Sequence, residues 1–462
     1  MPVTAVDLTV KNCRIVTPSA ILDVGIAIDD GKIVAIAKDD RLPNSAKVIN
    51  AEGNHVLPGA IDAHVHFRDP GYTYKEDFRS GSEAAAAGGV TTVLDMPNNR
   101  PLTSTDQLVA EKARMAGGKS LVDFGLYGCI TRENLGDILG MAEAGVIGFK
   151  IYTGQTVGDI PPIDDEAFLR ALTLVSQTNL RTGVHAEDEE IRLILEGELK
   201  SLGRRDIFAH IEARPNEVEE EGISKAITLA VEAGSRLHIC HLSTAEGVEL
   251  VRRGKAAGHP LTSETCPQYL LLKKKDLERH GLLAKVNPPI RGVQRDINAL
   301  WRGLCDGAVE AIATDHAPHT MEEKMGGGSV WEAAAGIIGV ETMVPLMLTQ
   351  VNRGLLSLNR FAELTSEGPS RCFDLFPRKG AIRVGSDADL TIVDLKREGV
   401  IRSDRLRSKS SNTVFDGWRV KGAPILTMVR GKVVYEDGEV VGKPGFGEFL
   451  KPALCLGDAT NP

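Results

Sequence analysis

Between residues 58 and about 315 the chain repeats one alternation eight times: a short apolar, β-branched run, then a longer stretch of helical composition. The runs are 61–66, 91–96, 122–128, 148–152, 181–186, 236–241, 261–266 and 311–315, with an Ala-rich helix expected at about 79–88. Strands that alternate with helices pair in parallel. Eight of them in roughly 300 residues fit an α/β fold of the (β/α)8 TIM-like barrel type with some insertions, since such barrels take about 250 residues. A doubly wound open sheet is the alternative, but no Gly-x-Gly-x-x-Gly follows an early strand. The barrel is expected over 58–372.

Both ends read differently. Residues 1–57 carry short β runs at 8–10, 14–16, 25–28 and 33–36, with Asp29-Asp30-Gly31-Lys32 as a hairpin turn between the last two. No helical period intervenes, so a small antiparallel unit is expected. Short strands return over 373–445, including a hairpin that turns at Arg430-Gly431-Lys432. Neither end alone buries much surface, so the two are expected to pack together as one small β-sandwich domain beside the barrel. Residues 446–462 are expected as a tail.

Composition narrows the partners. A formal net charge of −9 gives no basic footprint for nucleic acid or an anionic membrane surface. No apolar run approaches the ~20 residues of a membrane span, and the N-terminus has no basic-then-apolar leader. Seven scattered cysteines without a Cys-x-x-Cys pair point to a reducing compartment and no disulfide framework. A cytoplasmic enzyme acting on a small molecule is the expectation.

Barrels of this kind carry their chemistry at the C-terminal ends of the strands. There stand His64 and His66, Lys150, His185, His238 and His241, and Asp315. Residues i and i+2 of a strand share a face, so His64 and His66 offer two imidazoles to one divalent metal, with Asp62 placed to orient or supplement them. Singly, such residues are as readily structural histidines or a helix N-cap; together, on five strand ends, they argue for a metal site. Lys150 is the odd member, because an ammonium has no lone pair to give a cation. As a plain lysine it reads as the partner of a carboxylate.

Asp62-x-His64-x-His66, Lys150, His185, His241 and Asp315 resemble the ligand set of the amidohydrolase superfamily, cyclic amidohydrolase branch, and the Gly385-Ser-Asp-Ala-Asp-Leu390 run resembles its flanking β-domain. That resemblance implies two zinc ions: His64, His66, carboxylated Lys150 and Asp315 around one, Lys150, His185 and His241 around the other. It also implies a homo-oligomer, dimer or tetramer, and a cyclic amide substrate. Within the branch, His64-Val-His-Phe-Arg-Asp-Pro-Gly71, Met96-Pro-Asn-Asn-Arg-Pro101, Asn287-Pro-Pro-Ile-Arg291 and Asp315-His-Ala-Pro-His319 are most similar to dihydroorotases, which interconvert N-carbamoyl-L-aspartate and dihydroorotate in pyrimidine biosynthesis. On that reading Asp315 is also the catalytic proton carrier. Arg68 takes the substrate carboxylate bidentately, Asn98 and His319 add donors to it, and Asn287 meets the ring amide. Arg68 also reads as an ion-pair residue and Asn98 as a turn residue after Pro97, with Arg100 and Arg291 as alternative guanidinium donors. Glu264-Thr-Cys-Pro-Gln268 is closer to hydantoinases, and Lys150-Ile-Tyr-Thr-Gly resembles the allantoinase and hydantoinase branches. Allantoinase or a hydantoinase-like cyclic amidase therefore stands as the alternative, and a non-catalytic scaffold as the rival class.

Overall fold

The computed structural model describes residues 5–158 and 160–453. Eight strands follow one another round a single sheet in chain order: β1 (Ala60–Val65), β2 (Val90–Asp95), β3 (Asp123–Cys129), β4 (Gly148–Tyr152), β5 (Arg181–His185), β6 (Arg236–Ile239), β7 (Leu261–Thr265) and β8 (Ala311–Ile312). Every adjacent pair is parallel. A parallel bridge between Val65 and His316 brings the end of the sheet back to its start. The Asp62 carboxylate reinforces that seam by accepting from Thr314 N at 3.0 Å and Thr314 Oγ1 at 2.5 Å. β1 to β5 are buried at every position, as strands covered by helices outside and packed side chains inside must be. The alternation thus reports a barrel, as read from the sequence. Its last strand is shorter than expected, because Thr314 is taken up by Asp62 and the chain turns at Asp315 with φ +49°.

The helix Phe78–Ala87 shows how the cover fits. Asp77 caps it by accepting from Ser80 N at 2.9 Å, and its alanines let the backbone lie close to the sheet. Gly81 is required there, because a Cβ would come within 2.6 Å of the Phe67 ring.

The remaining strands make two sheets. One has the order Lys32–Ala37, Gly25–Asp29, Val6–Lys11, Ser45–Asn50. The other runs Glu439–Val440, Lys432–Glu436, Arg419–Val429, Leu390–Val400, His55–Pro58, Arg14–Val16, Ile21–Asp23, and so mixes both chain ends. One apolar cluster joins Val10, Ile26 and Ile28 of the first to Val56, Ile392 and Met428 of the second, which makes the pair a sandwich. Three of its two-residue turns, Asp30-Gly31, Arg430-Gly431 and Asp437-Gly438, hold both residues at positive φ, the type I′ geometry that matches strand twist. The expectation of a purely antiparallel N-terminal unit is corrected. Val6–Lys11 pairs in parallel with Ser45–Asn50, and Arg14–Val16 in parallel with His55–Pro58. The hairpin between them returns the chain to the same end before it re-enters each sheet.

A buried ionic node ties sandwich to barrel. Lys379 Nζ meets Asp389 at 2.8 Å and Asp387 at 2.9 Å and also bonds Asp123, the first residue of β3, which Arg430 contacts as well. The three carboxylates lie close enough to hold a metal, but the ammonium already fills that role. The expected tail starts with packed chain: Phe124 N donates to Glu448 O at 2.9 Å, Leu450 N donates to Phe124 O at 2.8 Å, and Leu450 is buried. Residues 454–462 of it lie outside the described residues.

Candidate metal centre and active site

The strand ends open into a pocket whose lining includes His64, His66, Arg68, Asn98, Lys150, His185, His241, Asn287 and Asp315. Of the residues expected at the site, His319, Asp62 and His238 are missing from that lining. Strand geometry puts the others there: His64 shares the inward face of β1 with Asp62, and His66 follows as the chain leaves it. Lys150 is central in β4, and His185 ends β5. Three of the residues that turn the chain off a strand hold left-handed backbone without being glycine: Arg68 at φ +60°, His241 at +38° and Asp315 at +49°. Such conformations cost on the order of 1–3 kcal/mol each and persist where the surroundings impose them, often at functional sites.

Four imidazoles crowd together, with ring centroids 5.3 Å apart for His64 and His66, 5.2 Å for His64 and His241, and 4.8 Å for His185 and His241. His66 Nε2 lies 3.0 Å and His64 Nε2 3.5 Å from Asp315 Oδ1. Their outer nitrogens are held by acceptors: His64 Nδ1 by Glu264 Oε1 at 2.5 Å, His66 Nδ1 by Asn98 Oδ1 at 2.7 Å, His185 Nε2 by Glu187 Oε2 at 2.8 Å. A ring that donates outward keeps its other nitrogen as a lone pair, the arrangement metal-binding histidines use. For His64 burial and the Lys150 charge work against the protonated ring, yet Glu264 prevails and its pKa is raised to about 10, so this spot favours positive charge. Burial dominates at His66 and takes it down to about 3. At Asp315 burial pushes the carboxyl up, but the hydrogen bond from His66 and the histidine charges hold it below the usual range.

The donor set fits a metal. One ligand atom each from His64, His66 and Asp315 lies within 4.8 Å of the others, and His241 Nδ1 is buried without a hydrogen-bond partner. Lys150 is wholly buried with no carboxylate beside it, its Nζ facing Cys240 Sγ at 3.0 Å and lying 5.2 Å from the centre of the Tyr152 ring. The carboxylate-paired alternative for this lysine is absent among the described residues.

The residues expected to read substrate divide. Arg68 is buried in the wall with Nη1 unpartnered and Nε only 3.4 Å from Pro318 O; no carboxylate pairs with it among the described residues. Burial lowers its pKa. His319 stands behind it, outside the lining. His319 Nδ1 lies 3.2 Å from Lys75 Nζ and 3.5 Å from Glu323 Oε2, and its Nε2 lies 3.1 Å from Ala335 O. Arg68 Nη2 lies 3.2 Å from the same Nε2, which leaves Nη1 as the unpartnered nitrogen of the fork. Asn98 holds His66 and donates to Val157 O at 3.3 Å. Asn287 donates to Gln155 O at 3.4 Å, which leaves its Oδ1 free and buried. Arg291 is spent on Glu219 at 3.1 Å, and neither it nor Arg100 lines the pocket. Asp62 serves the seam, and His238 lies below, 3.3 Å from Glu264 Oε2.

Sequence reading missed Glu264 and Glu187 as histidine partners. Glu187 had a signal, since it lies two residues from His185 as His66 does from His64. Glu264 had none: 200 residues separate it from the ring it holds.

A model of the amidohydrolase family matches residues 55–434, more than four-fifths of the chain. The chain belongs to the amidohydrolase family. Among curated amidohydrolases it is 40% identical to a dihydroorotase of Methanosarcina mazei over 453 residues, covering 96% of this chain and 98% of that one. It is 39% identical to an L-hydantoinase of Paenarthrobacter aurescens over 448 residues, with 96% and 98% covered. An allantoinase of Solibacter usitatus is 36% identical over 452 residues, with 96% and 97% covered. Among solved structures, an L-hydantoinase from Arthrobacter aurescens superposes with a TM-score of 0.94 at 39% identity, covering 96% of this chain and all of that one. This amidohydrolase is therefore a hydrolase of cyclic amides, similar to relatives that divide among three rings. Among the described residues no helix is long and apolar enough to cross a membrane.

Proposed function

We propose that this amidohydrolase is a zinc-dependent dihydroorotase, which opens the carboxylate-bearing ring of dihydroorotate to N-carbamoyl-L-aspartate and closes it again. The observation that carries the reading is Arg68: a buried guanidinium in the pocket wall with Nη1 unpartnered and no paired carboxylate among the described residues. Burying a charge without a partner is costly, and an anionic group on the substrate removes that cost while matching the planar fork. Neither hydantoin nor allantoin carries one.

His64, His66, Lys150 and Asp315 would hold one zinc, and Lys150, His185 and His241 the other. Lys150 becomes a ligand by adding carbon dioxide at its amine with loss of a proton, which gives the carbamate oxygens. Bound there, the ions would acidify a water and polarise the scissile carbonyl. The chain's own groups do the rest. Arg68 anchors the ring by its carboxylate, and the free Asn287 Oδ1 accepts from a ring N–H. The ionised Asp315 takes a proton during addition to the carbonyl and delivers it to the departing ring nitrogen; in ring closure it works in the opposite sense.

A hydantoin ring is the second reading, supported by the superposition on L-hydantoinase and by Gln268. One assay separates them: kcat/KM measured side by side with dihydroorotate, hydantoin and allantoin. Dihydroorotate is expected to lead by at least about 10²-fold, the worth of one charge-assisted contact of ~3 kcal/mol. Turnover of hydantoin or allantoin alone would overturn the assignment.

A further inference from the structure

Among the described residues, four buried side-chain atoms that line the pocket lack any hydrogen-bond partner: Arg68 Nη1, His241 Nδ1, Asn287 Oδ1 and Tyr152 Oη. The first three already have duties in the reading above. The hydroxyl has none, and leaving one buried and unmade costs about 1–3 kcal/mol. A tyrosine tolerates that cost where a ligand supplies the missing partner.

Its position is fixed by the strand. Tyr152 ends β4 two residues after Lys150, so both side chains leave the same face. Its ring centre is 5.2 Å from Lys150 Nζ and 6.4 Å from the His185 ring, while Cys129 and Ile160 pack behind it. The phenol is therefore held beside the ligand cluster rather than at the pocket mouth.

We infer that Tyr152 is a further catalytic residue, whose hydroxyl donates a hydrogen bond to the carbonyl oxygen of the cyclic amide. Addition to that carbonyl breaks its π bond and moves the electron pair onto the oxygen, so the bond strengthens as charge develops. Three unsatisfied atoms then match three groups of the ring: Arg68 takes the carboxylate, Asn287 the N–H, and Tyr152 the carbonyl. The inference rests on the ring-opening reading but not on the identity of the ring.

The test is Y152F, which deletes one oxygen and keeps the ring that packs. It is compared with wild type on whichever of dihydroorotate, hydantoin and allantoin the wild type opens fastest. We expect kcat to fall about 10²-fold with KM changed less than about threefold, the pattern of a contact made mainly in the transition state. Bound metal should be unchanged. The thermal midpoint should be equal or higher, because an unpaired buried hydroxyl has been removed. A kcat/KM within twofold of wild type overturns the inference. So does a loss of activity accompanied by a lower midpoint or lost metal, which marks a structural role. A wild type that prefers an uncharged ring sinks the assignment made from Arg68, and the Y152F ratio on that ring still decides this one.

Discussion

At the residue scale the site is defined by atoms without partners. Arg68 was legible as a polar residue past a strand end and Asn287 as part of a motif, but only coordinates reveal that Arg68 Nη1 has no partner and that the Asn287 amide is half spent. The consequence is measurable. R68K keeps the charge and loses the planar fork. On dihydroorotate kcat/KM should fall about 10²-fold, corresponding to ~2–3 kcal/mol for a charged hydrogen bond, mostly through KM. On an uncharged cyclic amide the change should stay within about threefold. Equal losses on charged and uncharged rings would show that Arg68 supports the pocket rather than reading the substrate.

Elements were legible where a period reports burial. The eight barrel runs and the turn at Asp30-Gly31 follow directly from apolar patterning and from residues that accept positive φ. Pairing sense in the small sheets was not, because a short strand has the same pattern whichever way its neighbour runs. The segment after β8 holds another element-scale feature. Glu341 sits just past Gly339, mostly buried, and receives Arg407 N at 2.8 Å and Arg407 Nη1 at 3.1 Å. Burial pushes its carboxyl up to about 7, although Arg407 pulls the other way. The folded chain therefore binds this proton more tightly than the unfolded chain, whose value is 4.5. Its stabilising contribution is full below pH 4.5 and is lost as pH rises through about 7. The stability of wild type relative to E341Q should decline by about 1–3 kcal/mol between pH 5 and pH 8, read from urea unfolding at each pH. A difference that does not change with pH refutes it.

For the whole molecule the decisive contact is the node under Lys379. The sequence shows Gly385-Ser-Asp-Ala-Asp389 as a motif, but not that its carboxylates share an ammonium with Asp123 at the foot of β3, 256 residues before that lysine. K379M would leave three buried carboxylates facing one another, with Arg430 beside Asp123 and Lys32 and Arg378 beside Asp387. Removing one partner of a buried ion pair costs about 3–5 kcal/mol, and Lys379 is the cation that meets Asp389, so urea unfolding should show a loss of that order while kcat of the surviving folded protein changes little. A loss below about 1 kcal/mol would mean that apolar contact, not this node, holds sandwich to barrel.

The seam between β1 and β8 has a consequence in time as well as space. His66 and Asp315 stand 249 residues apart in the chain yet bond across that seam. A ribosome adding about 5–20 residues per second needs some tens of seconds to make that span, so the first strand waits, exposed, for its last neighbour. An ion gripped from both sides would rivet the ring shut at the one place where it was open during synthesis. Were that site filled by a metal, its supply would set how long a newborn chain stays ajar, and its shortage would be felt first as slow maturation and only afterwards as idle enzyme.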